Sequence, residues 1–98
     1  DLGPVVAKLL EEVSELQAAL GDSRRTEAEL GDVLFAAVNV ARHIGVDADL
    51  AVRAATARFE GRFRWIEAHL GGRDMSSMTL DELDELWDAA KEAGAGAP

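Results

Sequence analysis

Glu12 and Glu15 stand three residues apart, and so do Glu29 and Asp32. Both pairs fall in segments that read as helix, where residues three apart share a face. Two such helices side by side would gather four carboxylates in a small volume. Like charges so placed must protonate, separate or take up a cation. For an all-oxygen site the natural cation is Mg²⁺, with Mn²⁺ as a substitute, and Mg²⁺ characteristically bridges to substrate phosphates.

The elements that must position these acids follow from apolar spacing. Pro4 suits the first turn of a helix, and Val5, Val6, Leu9, Leu10, Val13, Leu16 and Leu20 form its stripe. Gly21 and the polar run Asp22-Ser23-Arg24-Arg25 close it. Thr26 and Glu29 have capping-box spacing for a second helix, which reaches Ile44 and stops at Gly45. Asp47 reads as the N-cap of a third helix, with Leu50, Phe59, Phe63, Ile66 and Leu70 on its inner side and Gly71-Gly72 after it. Thr79 and Glu82 repeat the capping-box spacing before a short fourth helix that carries Leu80, Leu83, Leu86 and Trp87. The expected fold is all-α, a single helical domain over residues 1–93 with a loose tail over 94–98.

The second helix is apolar almost all round from Val33 to Ala41, as a helix in a core or at a subunit interface is. Glu29, Asp32, Asn39 and His43 form one narrow polar stripe along it, with Ala36 in the gap. A buried acid calls for a partner or a metal. Asp32 is too deep in the helix to cap it and is a poor mid-helix residue, so it is the first candidate ligand. Glu29 divides between capping Thr26 and binding metal. In the first helix, Glu12 falls at the edge of the apolar stripe, Glu15 further round, and Glu11 further still. The ordinary alternative for these acids is a solvated face with Lys8 as an ion-pair partner of Glu12.

Other groups admit two readings each. Asn39 is a satisfied core amide or a donor to a ligand. Arg58 and Arg62, one turn apart, pair with Glu60 or Glu67 or grip phosphate, whose oxygens the guanidinium fork matches. Trp87 and Lys91, also one turn apart, are a core indole with a surface lysine or a place for a base and its charge. His43 and His69 sit in last helical turns and read as capping or surface residues.

Composition narrows the class. A chain of 98 residues, 48% apolar and 30% charged, is one modest globular domain. Its net charge of −9 argues against broad nucleic-acid binding, though a bound cation would still admit a nucleotide. The chain has no cysteine, which fits a reducing, cytoplasmic setting. No run approaches the apolar length of about 20 residues that a membrane span needs, and no signal-peptide pattern is seen.

Glu11-Glu12-Val-Ser-Glu15 with Glu29-Leu-Gly-Asp32 resembles the EExxE…ExxD signature of MazG nucleoside triphosphate pyrophosphohydrolases. The stretch Gly31 to Gly45, the segment Arg58-Phe-Glu-Gly-Arg62-Phe and the late Trp87…Lys91 are similar to that family as well. The likeness spans about residues 5 to 91 and is greatest to the C-terminal catalytic half of two-domain members. It implies an all-α fold, with four-helix bundles completed across a homodimer or higher homo-oligomer. It implies Mg²⁺-dependent hydrolysis of a nucleoside triphosphate to a monophosphate and pyrophosphate. By motif position Glu12, Glu15, Glu29 and Asp32 would be metal ligands, with Glu11 or Glu12 orienting the attacking water. Lys8, Arg58, Arg62, Trp87 and Lys91 match positions around phosphates and base, and Asn39 joins them as a candidate. Departures are a missing Gly-Phe-Asp-Trp-like segment before the first helix, Arg58 where Lys is common, and a short loop between the acid pairs. Two alternatives stand beside this expectation: a narrow pyrophosphohydrolase for dUTP or phosphoribosyl-ATP, and a non-catalytic dimerisation module.

Overall fold

The structure is a computed structural model and describes every residue up to Ala97. The described residues form four α-helices and no strand: α1 (Gly3–Ala19), α2 (Ser23–Ile44), α3 (Ala48–Ala68) and α4 (Leu80–Glu92). A 3-10 turn, Met75–Ser77, precedes α4. None of these helices is long and apolar enough to cross a membrane. The chain divides into two compact units, the first being Asp1–Ala48 and the second beginning at Asp49.

In the first unit α1 and α2 pack as a helical hairpin. On α1, Val5, Leu9, Glu12, Leu16 and Ala19 are its inward, buried or half-buried line. On α2 the line is Thr26, Glu29, Val33, Ala36 and Val40. Both lines alternate steps of three and four residues, the spacing of a helix–helix seam. The turn between them holds Gly21 at φ 101°, where a Cβ would be strained. Asp22, in extended backbone, accepts hydrogen bonds from the backbone N–H groups of Arg24 and Arg25 and caps α2. The capping box expected of Thr26 and Glu29 is therefore absent. Ser23 already begins the helix, and the Thr26 hydroxyl instead donates to the Ala19 carbonyl at 2.9 Å, fastening α2 to the end of α1. Gly45 closes α2 at φ 75° as expected.

Within one chain the apolar surround of α2 is only partly covered. Of its residues only Ala36 is buried, while Leu34 is 58% and Phe35 78% exposed. The apolar surround is more than one neighbouring helix can cover, so within one chain most of it faces outward. The α1 stripe splits likewise: Val5, Leu9 and Leu16 turn inward, whereas Val6, Leu10, Val13 and Leu20 are exposed.

In the second unit Ile66 and Ala90 are buried, and Phe59 contacts Phe63 and Trp87 at ring-centroid distances of 6.3 and 5.4 Å. The inner side expected for α3 shrinks to Ile66 and the half-buried Leu70, because Leu50, Phe59 and Phe63 are exposed. Thr79 and Glu82 do form the expected capping box, with the Glu82 N–H on the Thr79 hydroxyl at 3.1 Å and the Thr79 N–H on Glu82 at 3.0 Å. Leu80, just inside that cap, is exposed, and Leu83, Leu86 and Trp87 are half-buried. Beyond α4, the segment expected to be loose lies against α3: the Ala95 carbonyl accepts from Arg62 Nε at 3.4 Å, and Gly96 meets the Arg58 backbone. A side chain at Gly96 would occupy the space of the Arg58 carbonyl. Pro98, the last of the tail residues, lies outside the described residues.

Candidate functional site

The hairpin seam carries two acids where apolar residues would ordinarily pack. Glu12 takes the middle position of the α1 line and is only 6% exposed. Glu29 takes the second position of the α2 line and is half-buried. Glu15, one turn beyond Glu12, is exposed and closes the group: one carboxylate oxygen from each of Glu12, Glu15 and Glu29 lies within 4.8 Å of the others. Glu12 Oε2 and Glu29 Oε2 are both shut away from solvent without a hydrogen-bond partner. A buried carboxylate oxygen with no partner costs the full desolvation of that group. The repulsion is felt at the rim, where Glu12 foremost, then burial and Glu29, raise the Glu15 carboxyl above its ordinary value.

Charge compensation comes from one side only. Lys8 Nζ stands 2.9 Å from Glu12 Oε1 and 3.6 Å from Glu11 Oε2, and Glu12 foremost holds its ammonium in the charged form to higher pH. Glu11 is exposed. Next to these acids a cavity of about 400 Å³ opens between the two helices, lined by Lys8, Glu12, Asp32, Phe35, Ala36 and Asn39. Asp32 is thus beside the acid group and faces the cavity, but it is exposed, contrary to the expectation that apolar neighbours bury it. The seam passes through Glu29, and Asp32, three residues on, lies on the cavity side of it. The two acids exchange the weights that spacing suggested: Glu29, free of any capping duty, is the enclosed one. Asn39 is half-buried at the cavity edge, and its own carbonyl is 2.9 Å from His43 Nδ1.

Phe35 and Ala36 are lining residues that the motif did not single out. Their signal was positional, since Ala36 is one turn past Asp32 and leaves room where a larger side chain would fill the groove. The remaining candidates belong to the second unit. The Arg62 guanidinium lies 5.4 Å from the Trp87 ring centre, so that indole is already flanked by Arg62 and Phe59. Arg58 is half-buried and Lys91 exposed in the last turn of α4. The ion pair in that stretch of α3 joins Arg64, rather than Arg58 or Arg62, to Glu60, at 3.8 Å. His69 stacks on Trp65 with its Nδ1 2.7 Å from the Trp65 carbonyl, a local use in keeping with a last-turn histidine.

Residues 4–66, which contain the hairpin, its acids and most of α3, match the MazG nucleotide pyrophosphohydrolase domain. This chain belongs to the MazG family. The MazG domain is 41% identical over 96 residues to a nucleoside triphosphate pyrophosphohydrolase of Escherichia coli strain K12, covering 92% of this chain and 36% of that protein. It is 39% identical over 89 residues to a Thermotoga maritima protein named nucleoside triphosphate pyrophosphohydrolase/pyrophosphatase MazG, covering 89% and 34%. A dATP/dGTP diphosphohydrolase of Cyanophage S-2L is 38% identical over 81 residues, 76% of this chain and 74% of that protein. The chain spans about a third of the length of the first two relatives.

The donor set of this MazG domain suits a hard divalent cation. It consists of carboxylate oxygens alone, and two of them lack any partner where burial makes that costly. Glu12, Glu15 and Glu29 are the residues that would hold such an ion, with Asp32 next on the same rim.

Proposed function

We propose that this MazG domain hydrolyses nucleoside triphosphates to the monophosphate and pyrophosphate, with Mg²⁺ or Mn²⁺ held by Glu12, Glu15, Glu29 and Asp32. The observation that carries this is the pair of enclosed, partnerless oxygens of Glu12 and Glu29, grouped with Glu15 in a chain of this family. The names of the Escherichia coli and Thermotoga relatives support the same reaction.

When bound, the cation supplies neutralisation of phosphate charge and acidifies a nearby water. The protein's own residues do the rest. Glu12 is enclosed and committed to the cation set, which leaves the exposed Glu11 beside it to orient the water and accept its proton. The water oxygen bonds to the α-phosphorus, and the bond from that phosphorus to the α–β bridging oxygen breaks. Pyrophosphate leaves with the bonding electrons, and Lys8 offsets its charge. The cavity walled by Phe35, Ala36 and Asn39 receives the nucleoside side, with an apolar ring and a carboxamide as its recognition elements. The chain works as a homodimer, whose partner covers the apolar face of α2.

The test is a panel of ribo- and deoxyribonucleoside triphosphates with every product identified. Equal amounts of monophosphate and pyrophosphate, only in the presence of Mg²⁺ or Mn²⁺, are expected. Release of inorganic phosphate, or no product at millimolar metal with any nucleotide, overturns the reading. The latter result, together with no Mg²⁺ heat in calorimetry, would favour the non-catalytic dimerisation module. A second reading, a narrow deoxypurine substrate range, is favoured by the cyanophage relative named for dATP and dGTP, which this chain matches over most of both lengths. Turnover confined to those two nucleotides selects it over hydrolysis of nucleoside triphosphates in general.

A further inference from the structure

Glu12 uses its two oxygens differently. Oε1 is held by Lys8 at 2.9 Å, whereas Oε2 is shut away from solvent without a hydrogen-bond partner. Among the described residues Lys8 is the only cation paired with Glu11, Glu12, Glu15 or Glu29. It is also loosely tethered, since its side chain is 57% exposed and that of Glu12 8%. Lys8 therefore neutralises an enclosed carboxylate from the solvent side, on a flexible stem, at the mouth of a cavity it helps to line.

A divalent cation on Glu12 Oε2 would make that ammonium surplus. Two positive charges on one carboxylate repel each other, and the more mobile of them yields. A triphosphate arriving at the same cavity offers the ammonium a new set of oxygens within reach of its stem. We propose that Lys8 is a displaceable counterion, holding Glu12 while the site has no cation and passing to the triphosphate when cation and nucleotide bind together. The consequence is coupling: bare cation binds weakly because Lys8 opposes it, and the cation–nucleotide complex binds tightly because Lys8 joins it. This inference rests on the function proposed above.

Calorimetric titrations of wild type, Lys8→Met and Lys8→Arg separate the two. Each protein is titrated with Mn²⁺ alone and with the Mn²⁺ complex of an α,β-methylene nucleoside triphosphate, whose α–β bridge resists cleavage. Met keeps the helix propensity and most of the stem. Lys8→Met is expected to bind Mn²⁺ alone roughly tenfold more tightly and the nucleotide complex roughly tenfold more weakly. Lys8→Arg keeps the charge and stays near wild type in both. The opposite signs are the signature, because a merely structural lysine would move both affinities the same way. Weaker or unchanged Mn²⁺ binding by Lys8→Met overturns the counterion role while leaving the catalytic reading intact. A wild-type chain that takes up neither Mn²⁺ nor its nucleotide complex overturns both.

Discussion

At the scale of the residue, the site is a conflict among carboxylates. Glu12 and Glu29 occupy seam positions, Glu15 crowds them from the rim, and Lys8 pairs with Glu12 alone of the three. A carboxyl whose pKa rises on folding costs stability above that pKa, and the cost fades as pH falls toward the unfolded value of 4.5. Neutralising Glu15 removes the cost at any pH. Glu15→Gln is therefore expected to melt at a higher temperature than wild type at about pH 8 in chelator. Added Mn²⁺ should stabilise wild type strongly and the variant much less, because a bound ion stabilises in proportion to its affinity. Thermal melts with and without Mn²⁺ check this, and a variant less stable than wild type in chelator would show that Glu15 is not under repulsion. Spacing located these acids but misjudged their environment: Asp32 was expected to be enclosed and is exposed, while Glu29 was suspected of a cap and has none.

At the scale of the element, helix ends follow local chemistry and were legible where only neighbours take part. The Thr79–Glu82 box and the Gly45 stop involve residues within a few positions of each other and formed as read. The Thr26–Glu29 box had the same spacing and failed, because Asp22 caps three residues earlier and Ala19 claims the Thr26 hydroxyl. At α4, the Thr79 backbone N–H foremost, with Arg73 adding a smaller pull, holds the Glu82 carboxyl below its ordinary 4.5. The lowered pKa means stability present above 4.5 and lost as pH falls through the folded value. Glu82→Ala should thus be less stable than wild type near neutral pH, the gap closing as pH falls below the folded value. Denaturant unfolding across that range measures it, and a gap that persists in acid would assign the loss to contacts of the side chain that do not depend on its charge. The tail after α4 was unreadable for the opposite reason: Gly96 lies against the backbone of Arg58, far away in sequence.

At the scale of the whole molecule, charge and exposed apolar surface set the behaviour. A net charge of −9 keeps chains apart at long range, yet Leu34, Phe35 and Leu10 stand largely uncovered. Apolar surface on this scale marks a place where protein meets protein. The homodimer proposed above places a partner there. Leu34→Glu, away from the acids and the cavity lining, should shift the chain toward monomer in sedimentation equilibrium while its helical circular dichroism stays near wild type. A wild-type chain that sediments as a monomer at high micromolar concentration would remove the dimer from the account.

The sequence by itself determined that the chain is helical, where most helices begin and end, and which acids are the candidates for a site, because periodicity, caps and motif spacing are local. It also determined the family, since Glu11 to Asp32 and the stretch after it can be read without coordinates. Tertiary structure decided which acids are enclosed. Burial depends on the line along which two helices meet, and that line runs through Glu12 and Glu29 and leaves Glu15 and Asp32 at its rim. It decided as well that Lys8 takes one oxygen of Glu12 and leaves the other without a partner, a division of one carboxylate that no spacing of residues could specify.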